Sequence, residues 1–177
     1  SGGTHYDCDL TISATDGGRI AMPSTTIMES PLTGDQRHRG IHVTAEGNGS
    51  TIDLSGLERF QDYQGWESST NHDGQLSQLK ALAGGEIVLG SLTHLRGVDL
   101  TLDGSGSIDL NSLEWTQSCR FDVGMNISFP SLWKAENGYL YVSGAEVTLP
   151  EVTDINRISI YISGGGGLSI PKAALIR

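Results

Sequence analysis

Ile87-Val88-Leu89-Gly90-Ser91-Leu92, Ile108-Asp109-Leu110-Asn111-Ser112-Leu113, Ile127-Ser128-Phe129-Pro130-Ser131-Leu132 and Val147-Thr148-Leu149-Pro150-Glu151-Val152 are four versions of one phrase, and Leu168-Ser169-Ile170-Pro171-Lys172-Ala173 is a fifth. Their first residues lie 21, 19, 20 and 21 positions apart. A fixed period near twenty is the mark of a stacked repeat. About half a period further on, a second alternation recurs in Val98-Asp99-Leu100-Thr101-Leu102, Phe121-Asp122-Val123, Leu140-Tyr141-Val142 and Ile158-Ser159-Ile160-Tyr161-Ile162. Period-two alternation of aliphatic and β-branched residues reads as strand with one buried face. Each second strand is followed by Gly104, Gly124, Gly144 or Gly164, where the chain must turn into the next rung.

Two strands per repeat leave no room for a long helix between them. Stacking like on like then gives an all-β fold, a single-domain parallel β-helix or β-solenoid with rungs of about twenty residues. Leu89, Leu110, Phe129, Leu149 and Ile170 form one expected inward ladder, and Pro130, Pro150 and Pro171 one column at the strand end, where a missing amide is tolerated.

Residues 1–86 repeat less cleanly than 87–177. Ile20-Ala21-Met22-Pro23 and Ile52-Asp53-Leu54-Ser55-Gly56-Leu57 match the opening phrase, but the spacings are 32 and 35 residues. Insertions between Thr26 and Gly40 and between Glu58 and Gly85 account for the excess, leaving seven rungs counted from Ile20, the last partial. Leu76, Leu79 and Leu82 in the second insertion have the spacing of a short helix face, with a degenerate strand as the alternative. Ser1-Gly2-Gly3 reads as a linker, and the end at Ile170 lacks a polar cap, so the expectation is one solenoid domain over 1–177 taken from a larger protein.

The formal net charge is −10, spread evenly along the chain. A phosphate backbone needs a basic stripe, so nucleic acid is not an expected partner. No run of eighteen apolar residues occurs, so membrane insertion is not expected. Cys8 and Cys119 fall several rungs apart, roughly 19 Å, beyond the reach of a disulfide, so both are expected as free thiols.

The phrases at Ile52, Ile108 and Val147 resemble the repeats of very large bacterial surface proteins of the planctomycete type, over Ile87 to Ala173 above all. More distantly the pattern is similar to receptor L-domain and leucine-rich-repeat families, although Asn111 alone occupies the corner where leucine-rich repeats carry an asparagine ladder. The resemblance implies an extracellular or cell-surface β-solenoid module, structural or adhesive, and brings no catalytic motif.

Asp53 and Asp109 share an outward column with Val88 between them, about 10 Å apart, at the upper end of the carboxyl spacing of inverting glycosidases. With Arg59, Tyr63 and Trp66 of the second insertion they form the candidate binding wall for a polysaccharide. Asp99, Asp103 and Asp109 around Gly104-Ser105-Gly106 are a loose calcium candidate, without the EF-hand spacing. His38 and His42, with Asp35, have zinc-like spacing but no strong third ligand. Tyr141 and Tyr161 alternate outward, and Trp115 and Trp133 read as equivalent in successive repeats, an aromatic column of the kind on which sugar rings stack. The leading expectation is a non-enzymatic structural or adhesive module that needs no cofactor and whose partners are neighbouring modules, a surface partner or a glycan. The alternative is a polysaccharide-binding or polysaccharide-degrading β-helix.

Overall fold

In the computed structural model, residues 9–30, 39–63 and 76–176 are described. Strand β1 (Leu10–Thr15) leads in, and β2 (Arg19–Ala21), β3 (Ile27–Ser30) and β4 (Ile41–Glu46) make the first complete repeat. The next repeats hold β5 (Thr51–Asp53), β6 (Arg59–Asp62) and β7 (Ser77–Leu82), then β8 (Glu86–Val88), β9 (His94–Arg96) and β10 (Val98–Leu102), then β11 (Ser107–Ile108), β12 (Trp115–Gln117) and β13 (Arg120–Val123). In the following two, the second and third strands merge: β14 (Ile127–Ser128) with β15 (Lys134–Ser143), and β16 (Glu146–Thr148) with β17 (Asp154–Ser163). β18 (Gly167–Ser169) and β19 (Leu175–Ile176) begin a seventh.

The described residues are all-β, without a helix. Every pairing is parallel and joins a strand to its equivalent one repeat away. The third strands and the second strands form one large curled sheet, because β15 belongs to both rows: ten strands run β1-β4-β7-β10-β13-β15-β12-β9-β6-β3, with β17 and β19 beyond. The first strands form two smaller sheets, β2-β5-β8-β11 and β14-β16-β18.

The repeat therefore has three strands where alternation alone predicts two. The extra strand, from β3 and β6 to β12, presents few inward residues: Leu95 in β9 and Thr116 in β12 are the sole buried positions of their strands. One apolar residue between polar neighbours carries no periodicity, which is why the pattern is silent there. The helix expected at Leu76, Leu79 and Leu82 is instead strand β7, in which Ser77, Leu79 and Ala81 face inward. Leu79 sits opposite Val43 and Leu100 in the ladder, and stacking on those neighbours overrides a three-residue spacing that also fits a helix.

Both insertions shrink for the same reason. β3, β6 and β7 are regular strands, so the extra chain lies between Ser30 and Ile41 and between Asp62 and Ser77, at the same corner of adjacent repeats. Elsewhere that corner needs a single residue in the left-handed region: Gly97 (φ 63°), Ser118 (φ 54°), Asn137 (φ 50°) and Arg157 (φ 54°). At this corner Ile27 to His42 is fifteen residues and Arg59 to Gln78 nineteen, against five from His94 to Asp99.

The corner after the first strand is a β-turn, with the amide of Leu57 donating to the Leu54 carbonyl at 2.8 Å, Leu92 to Leu89 at 2.9 Å and Leu113 to Leu110 at 3.1 Å. Pro23, Pro130, Pro150 and Pro171 occupy its second position, where a fixed φ is favoured. At the corner after the third strand, Gly104, Gly144 and Gly164 adopt positive φ as expected, but Gly124 does not. Two residues past Gly104, Gly106 lies so close to the Ala81 carbonyl that a Cβ would collide with it.

The core fills the space between the strand rows. Leu54, Leu89, Leu110, Phe129 and Leu149 are buried one above another, as are Leu57, Leu92, Leu113, Leu132 and Val152. Burying each such side chain stabilises by about 1.5–3 kcal/mol. Leu89→Ala is expected to cost about 2–5 kcal/mol in denaturant unfolding. Arg157→Gly, relieving a left-handed non-glycine residue, should raise the thermal midpoint, and Gly97→Ala should lower it by the equivalent of about 1 kcal/mol.

Candidate functional site

The outward side chains of the second-strand row form two ladders. Arg59, His94, Trp115 and Lys134 follow one another in register, and two residues on in the same strands come Gln61, Arg96, Gln117 and Glu136. The insertions leave from the end of this row. Tyr63, just past β6, lies with its ring 4.7 Å from the Arg96 guanidinium and donates its hydroxyl to Gln61 Oε1 at 2.8 Å. His94 meets Trp115 edge to face, with centroids 5.6 Å apart, and its Nδ1 contacts Thr93 Oγ1 at 2.8 Å. The Trp115 indole N–H donates to Glu136 Oε2 at 3.4 Å, and Lys134 Nζ pairs with Glu136 Oε1 at 3.0 Å. Burial works against the Glu136 charge, yet the Lys134 ammonium and the Trp115 N–H hold its carboxyl below the usual carboxylate range.

This is a half-exposed surface of guanidinium, imidazole, indole and phenol groups on an otherwise acidic chain. Its groups offer hydrogen-bond donors and the faces or edges of rings to a hydroxylated or anionic ligand. At the end of β6, Asp62 is buried and accepts from the Ser77 amide at 3.1 Å and from Ser77 Oγ at 2.7 Å, while Ser77 Oγ accepts from the Ile41 amide at 3.0 Å. That knot ties the strands that flank the two insertions.

Of the residues expected from sequence, Arg59 and Tyr63 belong to this surface, and Trp66 lies outside the described residues. Asp53 and Asp109 are elsewhere, on the first-strand row across the turn at 54–57. Asp53 is opposite Val88, and the pairing of Ile108 with Ile87 sets Asp109 against Val88 from the other side, as the column predicted. Each carboxylate is engaged by its own turn: Asp53 accepts from the Ser55 amide at 2.9 Å and Asp109 from the Asn111 amide at 3.0 Å. The Ser55 amide holds the Asp53 carboxyl below its ordinary range. Among the described residues no ion pair joins Arg59 to either aspartate. Asp109 does border an open groove of about 330 Å³ where the first-strand row splits between β11 and β14, with Glu86, Ser107, Asn111 and Ser128.

The other candidates separate as well. Among the described residues no three His, Cys, Asp or Glu side chains gather to hold a metal ion. Asp103 is occupied by backbone donors, accepting from the amides of Ala83 in the preceding repeat (2.8 Å), Ser105 (2.9 Å) and Gly106 (3.1 Å), which depress its pKa strongly. His42 lies 3.6 Å from Asp9, and His38 and Asp35 lie outside the described residues. Cys119 is a free, buried thiol whose pKa burial pushes up to about 12, and Cys8 lies outside the described residues.

Tyr141 and Tyr161 point outward and stack 4.8 Å apart at 8°, with the Arg120 guanidinium 4.8 Å from the Tyr141 ring. Trp115 and Trp133 are not equivalent, because Trp115 is opposite Lys134, which sets Trp133 one place earlier, beside Glu114. Their distances from the preceding Leu113 and Leu132 differ by one residue, and Trp133 falls before β15, outside the strands, and is exposed. His94, Arg96 and Glu136 were missed by sequence reasoning, and aligning the residues that follow each sixth-place leucine would have exposed them beside Trp115.

Comparison with protein-family models, with curated proteins and with solved structures finds no match.

Because the folded Asp103 carboxyl is depressed, its stabilisation is fully present above the ordinary value near ~3.9 and is lost as pH falls through the folded value. Asp103→Asn should therefore lower stability by a constant amount at neutral pH. The gap from wild type should narrow as unfolding is followed below about pH 4.

Proposed function

We propose that this chain is a parallel β-solenoid module of a large extracellular or cell-surface protein, with a non-enzymatic structural or adhesive role. The observation that carries the reading is the pairing: strands of successive repeats pair parallel and in register, without a break in the second and third rows and with one break in the first, between β11 and β14. A surface built from near-identical rungs spaces and presents groups along a line. The likeness of the repeat phrases to those of planctomycete-type surface proteins agrees with this role. Neighbouring modules or a surface partner are its natural contacts, and the role calls for no cofactor.

A second reading, glycan binding, is favoured by one specific feature, the Arg59–His94–Trp115 ladder with Tyr63 over Arg96 beside the two insertions. Rings flanked by donors are a common means of holding sugars by stacking and hydrogen bonds.

Two measurements test these readings. Thr44 and Lys80 face each other on adjacent parallel strands. Their cysteine variants, about 4.8 Å apart at Cα, should form an intramolecular disulfide on oxidation, and failure of that lock would sink the solenoid. A glycan array with the wild-type chain decides between the two roles. The absence of binding leaves the structural role, whereas defined binding that is lost in Trp115→Ala and kept in Tyr161→Ala establishes the ladder as a glycan surface.

A further inference from the structure

The first-strand row is broken once, between β11 and β14, while the other two rows run on past the break. The cause is the length of one corner. From the last inward residue of a third strand to the first of the next rung is seven residues for Ala45 to Ile52, six for Ala81 to Ile87, six for Leu102 to Ile108 and five for Val142 to Val147. For Val123 to Ile127 it is four. The short corner holds β14 back from β11, and Gly124 within it lacks the positive φ of Gly104 and Gly144. One side chain makes up part of the loss. The Glu146 amide donates to Asn126 Oδ1 at 2.8 Å, where Glu86, Ser107 and Gly167 donate to the backbone carbonyls of Ser50, Gly85 and Ala145.

The rest of the break stays open. In the regular rungs the residue entering the first turn donates its amide across to the next rung. Met22 donates to Asp53, Leu54 to Val88, Phe129 to Thr148 and Leu149 to Ser169, at 2.8 to 3.0 Å. The equivalent bonds from Leu89 to Asp109 and from Leu110 to Ser128 are missing, so among the described residues these two amides have no backbone acceptor. Leu110 is 3% exposed, and a buried amide without a partner is costly. It stands on the wall of the groove of about 330 Å³ that the split opens, together with Glu86, Asp109, Asn111 and Ser128. Asp109 Oδ1 accepts from the Asn111 amide, which fixes the carboxylate at the edge of the groove and leaves Oδ2 for a ligand.

These groups narrow what the groove can hold. It has two carboxylates and, among the described residues, no cationic side chain on its lining, so it repels an anion. A hard cation takes oxygen ligands alone and leaves the Leu110 amide unpaired. A neutral polyhydroxyl compound uses both kinds of group, because a hydroxyl donates to a carboxylate and accepts from an amide. The volume is at the lower end of the range for small-molecule sites, room for a single sugar ring.

We propose that the split between β11 and β14 binds one neutral pyranose unit of a glycan, whose hydroxyls donate to Asp109 and Glu86 and accept from the Leu110 amide. The site lies on the first-strand row and does not depend on the Arg59–His94–Trp115 ladder. Asp53 supplies an internal control. It shares the column of Asp109 and makes the same turn bond, but its rung is paired on both sides.

The test titrates methyl glycosides of neutral hexoses and of xylose into the isotope-labelled full chain and follows the backbone amide resonances. At least one glycoside should shift Leu110 and Asn111 saturably and leave Ile52 and Leu54 in place. Asp109→Ala should weaken that binding roughly tenfold or more, the scale of a hydrogen bond to a charged group. If that variant does not fold, Asp109→Asn, which can still accept from the Asn111 amide, should weaken it in the same direction. Asp53→Ala should leave it unchanged, and Ser128→Tyr, an outward substitution that fills the groove, should block it. No shift at Leu110 and Asn111 with any glycoside overturns the proposal. So does a shift produced by calcium ion and by no sugar, which makes the groove a cation site. Shifts confined to His94, Trp115 and Gln117 overturn it while leaving the ladder as the glycan surface. An equal loss in Asp53→Ala denotes a general effect on the turns and overturns it as well.

Discussion

In-register parallel stacking is the constraint on which the rest of the structure depends. Each strand finds its hydrogen-bond partners in its own equivalent one repeat away, so a residue is surrounded above and below by residues of the same position. An inward place is then apolar in most repeats, because a polar side chain there is buried between its neighbours and needs a partner of its own, as Ser77 finds in Asp62. The leucines at 54, 89 and 110 satisfy that demand, with Phe129 and Leu149 continuing the ladder. Size must also match along a ladder. Where Thr116 and Ala135 replace larger residues, no other side chain moves in to fill the space, and a recess near the last repeats results.

Variation is confined to corners, for the same reason. An extra residue within a strand would shift its register and turn every following side chain to the wrong face. An extra residue at a corner disturbs one bend. The bend between second and third strands is the one that tolerates it, since a single left-handed residue such as Gly97 or Asn137 is all the regular repeats place there. Both insertions leave from it, and Arg59, Tyr63, Arg96 and Trp115 collect on the face of the second-strand row that ends there. The other corners are held by their own bonds: the turn at Leu54–Leu57 by its backbone pair, and the corner at Asp103 by a carboxylate that reaches back to the amide of Ala83.

Long-range order was legible where a repeat phrase contained at least two inward residues. Ile108 and Leu110, or Leu100 and Leu102, declare a strand and its face without any structure. β9 and β12 carry no such signal because Leu95 and Thr116 stand alone in theirs, and the leucines of β7 fit a short helix or a degenerate strand until Val43 and Leu100 are placed beside Leu79. The candidate site suffered the same way. Asp53 and Asp109 were correctly put in one column, but an aspartate at a strand end reads alike whether it serves a ligand or, as here, the amide two residues on.

The amino-acid sequence by itself determined the twenty-residue period, the all-β class, the inward ladders of the first and third strands and the proline position in the turn, because these depend on residues close together in the chain and on repetition. Tertiary structure alone decided the second strand of each repeat, the shared corner of the two insertions, and which polar side chains face one another. Those follow from which rung lies above which, and a contact between residues twenty or thirty-five positions apart leaves no local pattern to read.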